Sequence, residues 1–230
     1  MTLDELLLAL DIPLERRDAL KKALSDYADL LSSRNKEYNL TAIVEPNEVT
    51  IKHFYDSLYP LRFLDLSGKS ALDFGSGAGF PGLLYALFVP DCRMSLLDAT
   101  AKKCHFLEEA STLLKCNNVS VLHARGEDLP RGSFDVVSAR AVAALPVLLE
   151  LVMPLLKVGG KFLALKGKNG QEELSESETA LRKLGGKLLK IEEYALPEDM
   201  GERTAILIEK VHETPHKYPR PYGEILKRPL

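Results

Sequence analysis

The chain is poor in the residues that build disulfide frameworks, metal sites and membrane anchors. Its three cysteines, Cys92, Cys104 and Cys116, are odd in number and too widely spaced for a C-X-X-C unit. A closed disulfide framework is thereby excluded, and buried or half-buried free thiols are expected. The five histidines, His53, His105, His123, His212 and His216, show no pair at metal-ligand spacing within one helix face, so no metal is expected. No apolar run approaches membrane-spanning length without charge, and the acidic start Asp4-Glu5 is unlike the basic region of a secretory signal. A cytoplasmic protein with no membrane partner is the expectation. An excess of positive charge is missing too: the formal net charge is -3 and the pI is near 6.0. Composition alone therefore does not suggest a nucleic acid, and the question passes to the charge of individual faces.

What the chain does have is one informative stretch, Ala71-Leu72-Asp73-Phe74-Gly75-Ser76-Gly77-Ala78-Gly79-Phe80-Pro81-Gly82. A short apolar strand runs into a glycine-rich turn and then into a helix, whose first turn tolerates Pro81. Glycines there let the backbone pass close to a ligand at the strand end. The spacing is Gly-X-Gly-X-Gly, although counting Gly77, Gly79 and Gly82 keeps a dinucleotide reading open. A cofactor without phosphates, such as S-adenosylmethionine, needs the same close backbone passage beside its amino-acid part and ribose.

With 230 residues and 46% hydrophobic content, the chain can bury one substantial core. Through about residue 60 it reads as helices, with stripes at Leu3, Leu6, Leu7, Leu10 and at Leu20, Leu24, Tyr27, Leu30, Leu31. Asn39 to Ile43 breaks this pattern, and a further helix from about Glu48 to Leu58 carries His53, Asp56 and Ser57 toward the first strand. From residue 70 the periodicity predicts strands at 70–74, 93–98, 118–123, 134–138 and 160–166, alternating with helices at 81–88, 101–115, 145–156 and 172–184. Two more strands, near 188–194 and 204–210, form a hairpin. Such alternation argues for an α/β fold with a largely parallel sheet and an antiparallel ending.

In such sheets ligands gather at the carboxyl ends of the strands. Asp98 ends the second strand, where a carboxylate can accept both ribose hydroxyls of an adenosine-containing cofactor, or simply cap the next helix. Asp73 can pair with a cofactor ammonium or stabilise the glycine turn. Backbone groups of Ala124 and Arg125 can meet an adenine edge. Arg140 and Lys166 end the fourth and fifth strands, where each can hold a phosphate or an acceptor base, or form a structural ion pair. Together with Lys102, Lys103 and Arg125, Lys166 is expected to make a positive rim over the cofactor suited to polynucleotide phosphates. The ending Lys217-Tyr218-Pro219-Arg220-Pro221-Tyr222-Gly223-Glu224-Ile225-Leu226-Lys227-Arg228 combines prolines and packing side chains with Lys217, Arg220, Lys227 and Arg228. It is expected to dock on the domain, with its cations facing an anionic substrate or only incidentally placed.

Taken as residues alone, these features leave four readings: an RNA methyltransferase, a nicotinamide-dependent oxidoreductase, a silent RNA-binding module and a small-molecule methyltransferase. The combination of Asn39-Leu40-Thr41-Ala42-Ile43, Lys52 to Leu58, Asp73 to Gly82, Leu97-Asp98, His123-Ala124-Arg125, Ser138-Ala139-Arg140-Ala141, Leu165-Lys166-Gly167 and Tyr218-Pro219-Arg220 strongly resembles the RsmG family, also called GidB, of bacterial ribosomal RNA methyltransferases. The resemblance implies a Rossmann-like class I methyltransferase fold with a mixed, mostly parallel seven-stranded sheet, helices on both faces and an N-terminal helical extension. It divides the chain into that extension (1–60), a cofactor-binding core (61–215) and a basic C-terminal segment (216–230). It implies methyl transfer from S-adenosyl-L-methionine to N7 of a guanine in 16S ribosomal RNA, free or in the 30S particle, by a monomer. Asp73, Gly75, Gly77, Gly79, Phe80, Asp98, Ala124, Arg125 and Arg140 are expected around the cofactor. Arg140, Lys166 and Asn39 are expected at the reacting centre, and Lys102, Arg125, Lys166, Lys217, Arg220, Lys227 and Arg228 on the RNA.

Overall fold

A computed structural model describes residues 1–230. Helix α1 (Leu3–Ala9) starts at a capping box, in which Thr2 Oγ1 accepts the Glu5 amide at 3.2 Å and the Glu5 carboxylate accepts the Thr2 amide at 2.7 Å. Helix α2 (Leu14–Tyr38) starts after Pro13 and stops where Asn39 turns left-handed at φ 52°. Its buried side chains, Leu20, Leu24, Tyr27 and Leu31, form one stripe. Tyr27 reaches furthest: its ring lies 5.2 Å from that of Phe80, and its hydroxyl donates to the Ala78 carbonyl inside the glycine turn. The extension is thus fastened to the loop that defines the ligand end of the sheet.

A second helical run begins with α3 (Pro46–Glu48), widens into a π-helix over Val49–Tyr55, and ends in α4 (Asp56–Leu58) and a 3-10 turn, Tyr59–Arg62. The sequence predicts one ordinary helix here. The π-turns are the difference, and such widened turns are frequent at functional sites.

The sheet contains β1 (Ser70–Phe74), β2 (Arg93–Asp98), β3 (Val119–His123), β4 (Phe134–Arg140), β5 (Leu156–Lys166), β6 (Gly186–Ala195) and β7 (Glu202–Lys210), in the order β3-β2-β1-β4-β5-β7-β6. The pairs from β3 to β5 are parallel, whereas β7 runs antiparallel to β5 and β6. Strand order reverses at β1, so a crevice opens between the ends of β1 and β4. Helices α5 (Gly82–Phe88) and α6 (Ala101–Leu113) join α1 and α2 on one face, around Leu24, Leu83 and Phe106. Helices α7 (Leu145–Val152), α8 (Gly170–Glu176), α9 (Glu178–Leu184) and α10 (Tyr222–Lys227) cover the other, around Leu148, Leu184 and Ile225. Within β4, Val136 and Val137 enter opposite cores, as the two-residue period of a strand requires.

Two boundaries differ from expectation for local reasons. Pro154 lacks an amide hydrogen, so α7 yields to a 3-10 turn at Met153–Leu155. The helix predicted over 172–184 is two helices, separated at Ser177, whose hydroxyl donates to the Glu173 carbonyl at 2.6 Å. No helix is long and apolar enough to cross a membrane.

In the C-terminal segment Tyr218 and Ile225 are buried in the second core, and Arg220 does not face outward. Its Nε and Nη2 donate to the two carboxylate oxygens of Glu150, at 2.8 and 2.6 Å, and its amide donates to the same carboxylate at 2.9 Å. Glu150 on α7 is fully buried, so this fork is its compensation, and Arg220 is a fastener of the fold. Replacing Arg220 with Ala strands a buried carboxylate and is expected to cost about 3–5 kcal/mol in urea unfolding. A loss below about 1 kcal/mol, the range of an exposed ion pair, would show that the segment does not depend on it.

Candidate functional site

At the end of β1 the chain turns through Gly75 at φ +74° and reaches Gly79 at φ +90°. A Cβ at Gly75 would lie 2.7 Å from Val142 Cγ2, and one at Gly79 would lie 2.5 Å from the Tyr27 hydroxyl. Glycine is required at both positions, but for different neighbours: Gly75 faces the crevice, Gly79 the N-terminal helices. Two carboxylates pin the turn. Asp98 accepts the Gly77 amide at 3.0 Å and the Thr100 amide at 2.9 Å, with Lys103 Nζ at 3.6 Å. Asp73, beneath the turn, accepts the Gly82 amide at 3.0 Å and the Ser138 hydroxyl at 2.9 Å. Burial pushes the Asp73 carboxyl up to about 6, against the lowering effect of those hydrogen bonds.

Beside the turn lies a cavity of about 310 Å³, whose lining includes Gly75, Asp98, Ala124, Arg125, Val142 and Tyr222. The site residues read from the sequence divide here. Gly75, Asp98, Ala124 and Arg125 meet in the cavity. Gly77 contributes its amide to the Asp98 carboxylate, whereas Asp73, Gly79 and Phe80 build the supporting floor and flank. Phe80 is stacked on His53, with ring centroids 4.5 Å apart, and the Arg140 guanidinium sits 5.2 Å above its ring.

A second, larger cavity of about 630 Å³ opens between the strand ends and the π-helical segment, and Lys52, His53, Asp56, Arg140, Lys166 and Arg203 are on its walls. Arg140 leaves the end of β4 toward the N-terminal helices: Nη1 donates to the Lys52 carbonyl at 3.0 Å and to Asp56 at 3.2 Å. Its Nη2 lies 3.1 Å from His53 Nδ1. Arginine can only donate, so Nδ1 accepts and Nε2 carries the proton, which it gives to Thr41 Oγ1 at 2.9 Å. Burial, reinforced by the Arg140 charge, pushes the His53 imidazole down to about 3, so it is neutral. Asp56, buried, also accepts the Tyr194 hydroxyl at 2.9 Å and Arg203 Nε at 3.3 Å. Lys166 Nζ donates to the Ala143 carbonyl at 2.6 Å and pairs with Glu173 at 2.8 Å.

Ala141, Val142 and Ala143 line both cavities and form the partition between them. Ala141 is left-handed at φ +56°, a strained conformation for a residue with a Cβ, of the kind that clusters at functional sites.

Arg140 therefore walls the larger cavity and not the cofactor-sized one, while Asn39 lies in neither. Asn39 is an exposed helix cap, and its neighbour Asn35 does the local work, clasping Thr41 through its side-chain amide at 2.8 and 2.9 Å. Lys102, Lys217, Lys227 and Arg228 are exposed, on α6 and the C-terminal segment. Sequence reading did not single out Asp56 as an arginine partner, nor Arg203, Val142 or Tyr222 as walls. For Asp56 a signal existed, because it follows His53 by one helical turn in a motif already noted. Arg203 follows a turn-rich stretch with no pattern of its own.

A sequence model of the family described as GidB, rRNA small subunit methyltransferase G, matches residues 20–200. The chain is 42% identical over 222 residues to the ribosomal RNA small subunit methyltransferase G of Staphylococcus saprophyticus, covering 94% of this chain and 93% of that protein. It is 45% identical over 210 residues to the protein of the same description from Geobacillus kaustophilus, covering 89% and 88%. Among solved structures, a SAM dependent methyltransferase from Aquifex aeolicus superimposes with TM-score 0.58 at 18% identity, over 78% of this chain and 98% of that one. M. jannaschii TYW2 in complex with AdoMet gives TM-score 0.54 at 17% identity, over 67% and 74%. At such identities the superpositions establish a shared fold.

The two shifted groups beside Arg140 pull stability in opposite directions with pH. His53, at about 3 against 6.5, contributes stability that is present above pH 6.5 and is lost as pH falls toward 3. Asp73, at about 6 against 3.8, contributes stability that is present below pH 3.8 and is lost as pH rises through 6. Between pH 4 and 6 the slopes, each at most about 1.4 kcal/mol per pH unit, oppose. Urea unfolding at pH 4, 5 and 6 is expected to show a steeper rise with pH in Asp73→Asn, and a flat or falling profile in His53→Gln. Identical profiles in both variants and the parent would refute the assignment.

Proposed function

The chain belongs to the GidB family of rRNA small subunit methyltransferases G, and we propose that its two adjoining cavities hold the methyl donor and the acceptor base. The protein is an S-adenosylmethionine-dependent methyltransferase of small-subunit ribosomal RNA. The acceptor we assign to it is N7 of a guanine, presented by the RNA or by the 30S particle to a cytoplasmic monomer.

The smaller cavity suits S-adenosylmethionine by the chemistry of its donors and by its shape. The Asp98 carboxylate still has lone pairs for a ribose diol after accepting two amides, and a side chain at Gly75 would collide with the partition. When bound, the cofactor supplies a methyl carbon made electrophilic by its sulfonium. Guanine N7 carries an in-plane lone pair and no proton, so no side chain has to act as a base. The protein's contribution is alignment, which in favourable intramolecular comparisons is worth about 7–11 kcal/mol.

Methylation at N7 leaves a cationic base, so unpaired cations against it would oppose the product. The larger cavity avoids this: Arg140 and Arg203 share Asp56, Lys166 is paired with Glu173, and Lys52 with Glu48. His53 is neutral beside them. Arg140 is the positioning group for the guanine O6 edge or its phosphate, and Lys166 supports the partition through the Ala143 carbonyl. The single observation that carries this reading is the Ala141–Ala143 partition, which gives donor and acceptor one common wall.

Two variants test the division of labour. Asp98→Ala removes a charged acceptor and is expected to weaken S-adenosylmethionine binding by about 10–100-fold in calorimetry. Unchanged affinity would sink the ribose assignment. Arg140→Ala is expected to slow methylation of unmodified small-subunit particles by about 100-fold or more through misplacement of the base, with cofactor affinity retained. The modified base is mapped by mass spectrometry. Methylation at any atom other than guanine N7, or full turnover by the Arg140 variant, would overturn the acceptor assignment.

A further inference from the structure

The wall of the smaller cavity includes a residue from the far end of the chain. Tyr222 opens α10 and reaches the same space as Phe74, Ala124, Gly126 and Leu151. The segment that delivers it is firmly held: Arg220 grips Glu150, Arg131 donates to the carbonyls of Thr214 and Tyr218, and Tyr218 and Ile225 are buried. Tyr222 itself is 39% exposed, an aromatic side chain in the cavity lining that is partly open to solvent.

The polar groups of the cavity order the cofactor within it. The partition Ala141–Ala143 marks the end shared with the acceptor, where the sulfonium must lie. Asp98 marks the ribose. The remaining lining holds an apolar group, Phe74, Ala124, Leu151 and Tyr222, beside the charged Arg125 and Glu127. It suits the one flat, apolar part of the molecule, the adenine ring. We propose that Tyr222 is a cofactor-binding residue against which the adenine stacks, making the C-terminal segment part of the S-adenosylmethionine site. The inference rests on cofactor binding in this cavity, as assigned above, and extends the site to a part of the chain otherwise expected to serve RNA. The arginine fork at Glu150 then has a second consequence, since it fixes the height of the ring over the cavity.

Binding of S-adenosylhomocysteine to the full-length protein provides the test. Tyr222→Ala is expected to bind about five- to tenfold more weakly, the low end of base–aromatic stacking for a ring partly open to solvent, with an unchanged unfolding midpoint. Tyr222→Phe keeps the ring and is expected to bind as the parent does. The sequence contains no tryptophan, so Tyr222→Trp places a unique fluorophore at the wall. Its emission is expected to be quenched by S-adenosylhomocysteine and by adenosine, and left unchanged by methionine. Parental affinity in the Ala variant, an equal loss in the Phe variant, or a tryptophan insensitive to adenosine would each overturn the role of Tyr222 while leaving the cofactor site in place. A folded parent that binds no S-adenosylhomocysteine would instead overturn the cofactor assignment itself.

Discussion

The buried carboxylate of Asp56 is the constraint on which the larger cavity depends. A carboxylate taken out of water is tolerable only when it is paired and hydrogen-bonded, and Asp56 draws its partners from three strands: Arg140 from β4, Tyr194 from β6 and Arg203 from β7. Meeting that requirement brings the helical run after Pro46 over the ends of the sheet and holds it there. Two guanidinium groups already share one negative charge, so a third cation would be unfavourable. Burial first, and then the Arg140 charge, hold His53 neutral with its proton on Nε2, which it donates to Thr41, itself clasped by Asn35. A chain of side chains thus runs from the C-terminus of α2 to the floor of the larger cavity.

The fold was largely legible because periodicity and turn chemistry are local. The seven strands fell where apolar runs placed them, and the antiparallel ending followed from two strands joined by a turn. Gly75, Asp98, Ala124, Arg125, Arg140 and Lys166 line one or other of the two cavities for one shared reason that sequence can anticipate: strand carboxyl ends converge, whichever strands they are. Readings went astray where a role depends on a partner remote in sequence. Gly79 is a glycine because of Tyr27, and Phe80 is stacked against His53; neither contact leaves a trace in the glycine motif. Arg220 lies in a basic stretch, and only the fold reveals that a buried Glu150, 70 residues earlier, claims it. Asn39 belongs to a specific motif, yet its position is the end of a helix. Tyr222 could be read as a packing residue from its sequence, but which wall it packs against is set by the docking of the whole segment.

The two cavities also divide the electrostatic tasks of handling RNA. Inside, Arg140, Arg203 and Lys166 each have a carboxylate within ion-pair distance, so these side chains keep their geometry and would offer a reduced net charge to a base in the proposed acceptor cavity. Outside, Lys102, Arg125, Lys217, Lys227 and Arg228 are exposed and have no ion-pair partner in the fold. Exposed cations act over a Debye length of about 8 Å at physiological salt and gain from counterion release, which makes their attraction for phosphates strong at low salt and weak at high salt. Buried pairs are screened far less. Under the proposed assignment attraction and alignment fall to different residues, so that a chain with formal net charge -3 can engage a polyanion through its rim while most of the charge in its larger cavity is paired. Were the acceptor N7 of a guanine, as proposed, the base would need no deprotonation and would acquire a positive charge, and that combination would serve it: an electrostatic grip on its backbone at a distance, and at close range a rigid wall that holds its lone pair toward the methyl donor.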